Sequence, residues 1–150
     1  MAEPMRLTNF TDYGLRSLIY LAIHAERRCS AREISAYYSI SYNHIVKVVH
    51  QLSLSGLVVT SRGKGGGIML AKGTLDRPVG DIVSQLEPDF HLVECFDEKS
   101  NGCRITEICG LRHHLVDARS AFIAKLNDKT LRDILPADPA AFKALAPKAE

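Results

Sequence analysis

No stretch of this chain is apolar for long enough to cross a membrane, and its N-terminus has no signal-peptide core. The expected compartment is therefore the cytoplasm, where thiols stay reduced. A Gly-x-x-x-x-Gly-Lys-[Ser/Thr] phosphate loop is missing. The nearest glycine-rich stretch, Arg62 to Gly67, runs into a β-rich segment where a phosphate loop needs a helix. No nucleophile–base pair or paired-carboxylate constellation can be placed, which removes the usual grounds for an enzyme. There are no internal repeats.

At 150 residues, 46% hydrophobic and 24% charged, the chain suits one soluble domain with a real core and an appended helix. Its net charge of +2 hides an asymmetry. Residues 1–75 carry nine Lys/Arg against four Asp/Glu (net +5), and residues 76–150 carry ten against thirteen (net −3). A basic front half suits a polyanionic partner, although a solvated surface explains so small a charge equally well.

Residues 1–5 read as a ragged start. Leu15, Leu18, Ile19, Ala22 and Ile23 then recur at helical spacing, with Thr8, Asn9 or Thr11 available as cap and Asp12 in the first turn. Ser30-Ala-Arg-Glu33 is a capping box opening a second helix that ends near Tyr38. After the turn Ser39–Ser41, a third helix runs to about Ser55 and stops at Gly56. It buries Ile45, Val48, Val49 and Leu52 and presents Asn43, Lys47, His50 and Gln51. Two helices joined by a short turn, the second opening on polar residues, form a helix-turn-helix pattern. Its candidate DNA contacts are Ser41, Tyr42, Asn43, His44 and Lys47, against the plainer reading of a solvated helix face.

The β-rich runs 57–60 and 68–71 flank a basic glycine-rich tip carrying Arg62, Lys64 and Gly65, further candidate DNA contacts. Such a hairpin directly after a recognition helix is the wing of a winged-helix fold. A short helix over 78–86 follows. A long helix from about Ile108 to Leu126 has an apolar stripe of Ile108, Leu111, Leu115, Ala118, Phe122 and Leu126, suited to dimerisation. The expected fold is mainly α with a small β-hairpin wing: a winged helix-turn-helix plus a long C-terminal dimerisation helix. Its divisions are a DNA-binding domain (1–86), a cysteine loop (87–110), a dimerisation helix with a last short helix over 130–135 (111–135), and a frayed Pro/Ala-rich tail (136–150).

Three of the four cysteines, Cys95, Cys103 and Cys109, fall within fifteen residues in the pattern C-x7-C-x5-C. Thiolates crowded this way suit an iron–sulfur cluster, zinc or copper, and three are one short of the four that most clusters use. Zinc is the nearer rival, since three thiolates and one N/O ligand suit it, but the spacing is not a usual zinc-finger spacing. Cys29 stands alone at a helix boundary and reads as a structural or surface thiol.

The opening Met5-Arg-Leu-Thr-Asn-Phe-Thr-Asp-Tyr-Gly-Leu-Arg16, the Arg-Gly-Lys-Gly-Gly-Gly wing and the C-x7-C-x5-C loop together resemble a group of iron–sulfur winged-helix repressors. The likeness covers residues 5–135. One branch of that group, which senses iron–sulfur status, has the pattern C-x5-C-x5-C-x2-His. Here the first gap is longer, and the x2 position is Arg112, with His113 and His114 beyond it. The departure resembles the nitric-oxide-sensing branch. The resemblance implies a [4Fe-4S] or [2Fe-2S] cluster on Cys95, Cys103 and Cys109, with Asp12 of the partner subunit as fourth ligand. It further implies a homodimeric repressor on a palindromic double-stranded operator, with nitric oxide as signal. His113, Glu94 and Glu107 stand as substitute ligands. A thiol- or zinc-based redox regulator and a cluster-status sensor stand as alternative functions.

Overall fold

The computed structural model describes residues 5–145 and Pro147. Helix α1 (Asn9–Ile23) is capped by Thr8, whose Oγ1 accepts from the Thr11 N–H at 3.3 Å. Helix α2 (Ala31–Tyr38) carries the full capping box: the Glu33 N–H donates to Ser30 Oγ, and the Ser30 N–H donates to the Glu33 carboxylate. Helix α3 (Tyr42–Leu54) starts after Ser41, which holds the cap position without a side-chain hydrogen bond.

The three helices meet through apolar faces at helical period. Leu18, Leu21, Ile34, Ile45, Leu52 and Leu57 are almost wholly buried, each contributing about 2 kcal/mol of hydrophobic stabilisation. Strands β1 (Val58–Ser61) and β2 (Gly67–Leu70) pair antiparallel from Val58↔Leu70 to Ser61↔Gly67. The wing is broader than a lone hairpin, because Cys29 bridges Ile68 through two backbone hydrogen bonds of 3.0 and 2.7 Å. Gly63 and Gly65 turn its tip at φ +85° and +77°, where any residue with a Cβ is strained.

Helix α4 (Val79–Leu86) follows Pro78 and leads into the cysteine loop; helix α5 (Gly110–Leu126) leaves that loop. The two pack closely at Gly80, where a Cβ would lie 2.5 Å from the Ile123 carbonyl oxygen. Asn127 closes the junction, accepting from the Asp81 N–H and donating to the Asp81 carboxylate. No residue of α5 is buried; Leu111 is 63% and Phe122 46% exposed, while Leu115, Ile123 and Leu126 are half-covered, so its apolar stripe is partly open in the single chain.

The expected frayed tail over 136–150 and the domain limit at 86 need correction. Residues Pro139–Ala144 form helix α6, capped by Asp138, which accepts from the Ala140 and Ala141 N–H groups. Phe142 stacks on Tyr37 (centroids 4.6 Å apart, planes at 20°), and its carbonyl accepts from the Tyr37 hydroxyl at 2.6 Å. Tyr20 and His24 complete the pocket. Leu131, just before a short 3-10 turn at Arg132–Ile134, is likewise fully buried in the core of the first 86 residues. Composition argued for fraying; a pocket built by α1 and α2 overrides it. The rest of the tail beyond Leu145, apart from Pro147, lies outside the described residues, as do the first four residues of the ragged start. Phe142→Ala is expected to destabilise the reader by about 3 kcal/mol, measurable as a lowered urea midpoint.

Candidate functional site

The start of α3 is a polar, exposed surface: Ser41, Tyr42, Asn43, His44 and Lys47 all face outward. Two of these side chains are braced from behind. The Arg32 guanidinium lies 4.8 Å from the Tyr42 ring centroid, and His44 stacks against Tyr13 of α1. Arg62, Lys64 and Gly65 are exposed at the wing tip. Sequence pattern located this surface; the Arg32–Tyr42 contact spans two helices and had no local signal.

The cysteine loop is folded on itself by short side-chain hydrogen bonds. Asp97 accepts from Ser100 Oγ and from the Lys99 N–H, and these bonds hold its carboxyl below the usual range. Asn101 accepts from the Cys103 N–H and donates to Thr106 Oγ1, which in turn donates to the Cys103 carbonyl, each at 2.9 Å. Arg119 of α5 lies 4.6 Å from the Phe96 ring centroid and donates to the Phe90 carbonyl, fastening the loop to the long helix.

Cys95 is buried, Cys103 exposed and Cys109 half-buried, all as free thiols. Cys109 is the N-cap of α5: its Sγ accepts from the Arg112 N–H at 3.4 Å, in a position normally filled by Ser, Thr, Asp or Asn. A cleft of about 290 Å³ brings Cys95 together with Glu98, Asn101, Thr106, Glu107, Arg112 and His113. It does not include Cys103 or Cys109. Among the described residues, no three His, Cys, Asp or Glu side chains are arranged to hold one metal ion. The donor chemistry nonetheless fits a thiolate-ligated group: three reduced cysteines from one loop, beside a cleft lined by the half-buried, cationic Arg112. Cys29 is different. Burial pushes its thiol up, only partly offset by Arg27.

Asp12 sits half-exposed on the first turn of α1, where Arg16 donates to both its carboxylate oxygens at 3.1 and 2.8 Å. Its neighbour Thr11 is wholly buried and donates to the Glu87 carboxylate. Glu87 also accepts from the Thr8 N–H (3.2 Å) and Thr8 Oγ1 (3.1 Å). The start of α1 is thereby tied to the end of α4, eight residues ahead of Cys95. Nothing in the sequence around Glu87 marks it for this role.

A three-helix head, a two-stranded wing and a long, largely exposed helix make up a winged helix-turn-helix fold of the kind transcriptional regulators use. The chain belongs to the Rrf2 family, described as iron-dependent transcriptional regulators, which it matches over residues 7–137. It is 46% identical to the HTH-type transcriptional regulator NsrR of Bacillus subtilis over 87% of this chain and 90% of that one. Among solved structures, CymR, the global cysteine regulator of B. subtilis, superposes with a TM-score of 0.67 at 26% identity, covering 87% and 96% of the two chains. T. potens IscR superposes with a TM-score of 0.68 at 23% identity, covering 87% and 85%, a likeness of fold. Among the described residues, no helix is long and apolar enough to cross a membrane.

Proposed function

We propose that this chain is a homodimeric repressor in which Cys95, Cys103 and Cys109 hold an iron–sulfur cluster, and that nitric oxide lifts repression. The observation that carries the reading is the double position of Cys109. It is a candidate ligand and also the cap of α5, so the thiol loop feeds directly into the helix with the partly open apolar stripe. Cys95, Cys103 and Cys109 would hold the cluster, which would supply iron able to bind nitric oxide. Similarity to NsrR supports the choice of signal.

The residues of the chain then divide the work. Leu111 and Phe122, exposed on α5, pair with their copies on a partner across a two-fold axis. That sets two recognition helices about 34 Å apart, one turn of DNA. Asn43 suits adenine through two hydrogen bonds, while Ser41, Tyr42 and His44 reach base edges or phosphates. Lys47, Arg62 and Lys64 hold phosphates, and Gly65 lets the wing backbone approach the groove. Lys64→Ala is expected to weaken binding to all sequences alike. The slope of log K against log salt should fall by about one for each Lys64 removed, read by anisotropy titration at several salt concentrations.

Asp12 suits the fourth ligand position on a partner's loop, because it is outside the cleft of its own chain and partly exposed. Its exposed pair with Arg16 contributes at most about 1 kcal/mol and is readily exchanged for a better partner. Asp12→Ala should leave helicity intact and make the cluster labile. An unchanged cluster spectrum and nitric oxide response would remove Asp12 from the site.

Anaerobic purification tests the whole reading: iron and sulfide in each subunit, with visible absorbance bleached by nitric oxide, are the expected result. A colourless protein carrying zinc would overturn it.

A further inference from the structure

Arg112 addresses two of the three clustered cysteines at once. Its backbone N–H donates to Cys109 Sγ, and its side chain lines the cleft that holds Cys95. Within that cleft, Arg112 Nε is the one buried side-chain N/O atom without a hydrogen-bond partner among the described residues. Arg112 as a whole is half-buried, but a buried donor left without a partner is costly, the more so on a charged group. The position adds to the cost, because Arg112 stands in the first turn of α5, where the helix dipole disfavours a cation.

A cation retained at such a place is explained by an anion opposite it. Glu98 and Glu107 line the same cleft, yet no ion pair among the described residues includes Arg112. Nearby Lys99 and Arg104 are exposed, and Arg119 is engaged with Phe96 and the Phe90 carbonyl. A guanidinium stays protonated and has no acceptor lone pair, so it cannot ligate a metal, as a histidine at this position could. It can only donate. We infer that Arg112 is a positioning residue that neutralises and hydrogen-bonds the thiolate-ligated group on Cys95 and Cys109, through its guanidinium on one side and its main chain on the other. This rests on the cluster reading above.

The test compares the full-length wild type with Arg112→Gln and Arg112→Lys, all loaded anaerobically. Iron and sulfide content, the reduction midpoint and the rate of iron loss to a chelator are measured on each. Outer-shell partners of a metal group typically account for 10–100-fold in its retention, so Arg112→Gln should lose iron about that much faster. Its midpoint should move to more negative potential, because a cationic donor favours the electron-rich form. Arg112→Lys should recover the potential in part and the lifetime poorly, since it keeps the charge and loses the fork. Should the Gln variant unfold, the Lys variant carries the same comparison. A variant with wild-type potential and iron retention overturns the role of Arg112 and leaves the cluster reading standing. A wild type that binds no iron or sulfide overturns both.

Discussion

Replacing Cys103 by alanine is expected to strip the protein of iron and sulfide while leaving its fold unchanged. The side chain is exposed and contributes nothing to the core. The backbone around it is held by Asn101 and Thr106, without help from the sulfur. Far-UV circular dichroism and the thermal midpoint should therefore match the wild type. If cluster occupancy gates DNA binding, operator affinity should fall by on the order of 10⁴, the differential needed to move a two-state population from 1:99 to 99:1. Iron and sulfide content with anisotropy on an operator duplex reads both effects. Cys29→Ala is the control, since that buried thiol lies under the wing and should retain the cluster. A Cys103→Ala protein that keeps its full iron would exclude Cys103 as a ligand. One that loses iron yet binds operator unchanged would separate the cluster from repression.

The second large effect is expected at Glu87. Glu87→Ala leaves the buried Thr11 hydroxyl and the Thr8 N–H without their acceptor, which should cost about 3 kcal/mol in urea unfolding. Glu87→Gln keeps an acceptor oxygen and should cost about 1 kcal/mol. Both variants should also hold the cluster less well, because the ties of Glu87 align the start of α1, and with it Asp12. Equal stability of all three proteins would show that the hydrogen bonds are replaced by water. The same contact sharpens the proposed switch. The start of α1 is fastened to α4 by these bonds, so in the proposed switch the signal would not act by freeing α1 within its own chain. What ligand loss can change is the relation between one subunit's α1 and the other subunit's loop.

Much of this molecule was legible in its sequence, for identifiable reasons. The capping box at Ser30–Glu33, the 3.6-residue period of Ile45, Val48, Val49 and Leu52, and the glycines of the wing are local signals with local causes. The strands fell one residue later at β1 and one earlier at β2 than expected, a shift typical of boundaries set by pairing register. Cysteine spacing pointed to the loop but not to its arrangement, which is set by Asn101, Thr106 and the first turn of α5. Glu87, Arg112 and Phe142 were missed for a common reason: each acts through partners far away in sequence or through a cavity. The Tyr37–Phe142 hydrogen bond joins residues 105 apart, and the Thr8–Glu87 bonds join residues 79 apart. No periodicity encodes such pairs.

The seating of Phe142 among Tyr20, His24 and Tyr37 bears on how the protein is made. During synthesis the helix-turn-helix leaves the ribosome long before the side chain that completes its aromatic pocket, and Leu131 also arrives late. At roughly 5–20 residues per second the nascent reader waits several seconds with part of its core open. The contacts of Phe142 and Leu131 with the head are long-range, and closing such loops adds to the folding time. A chain cut short after the long helix would hold every candidate DNA contact and still lack Leu131 and Phe142 from its interior.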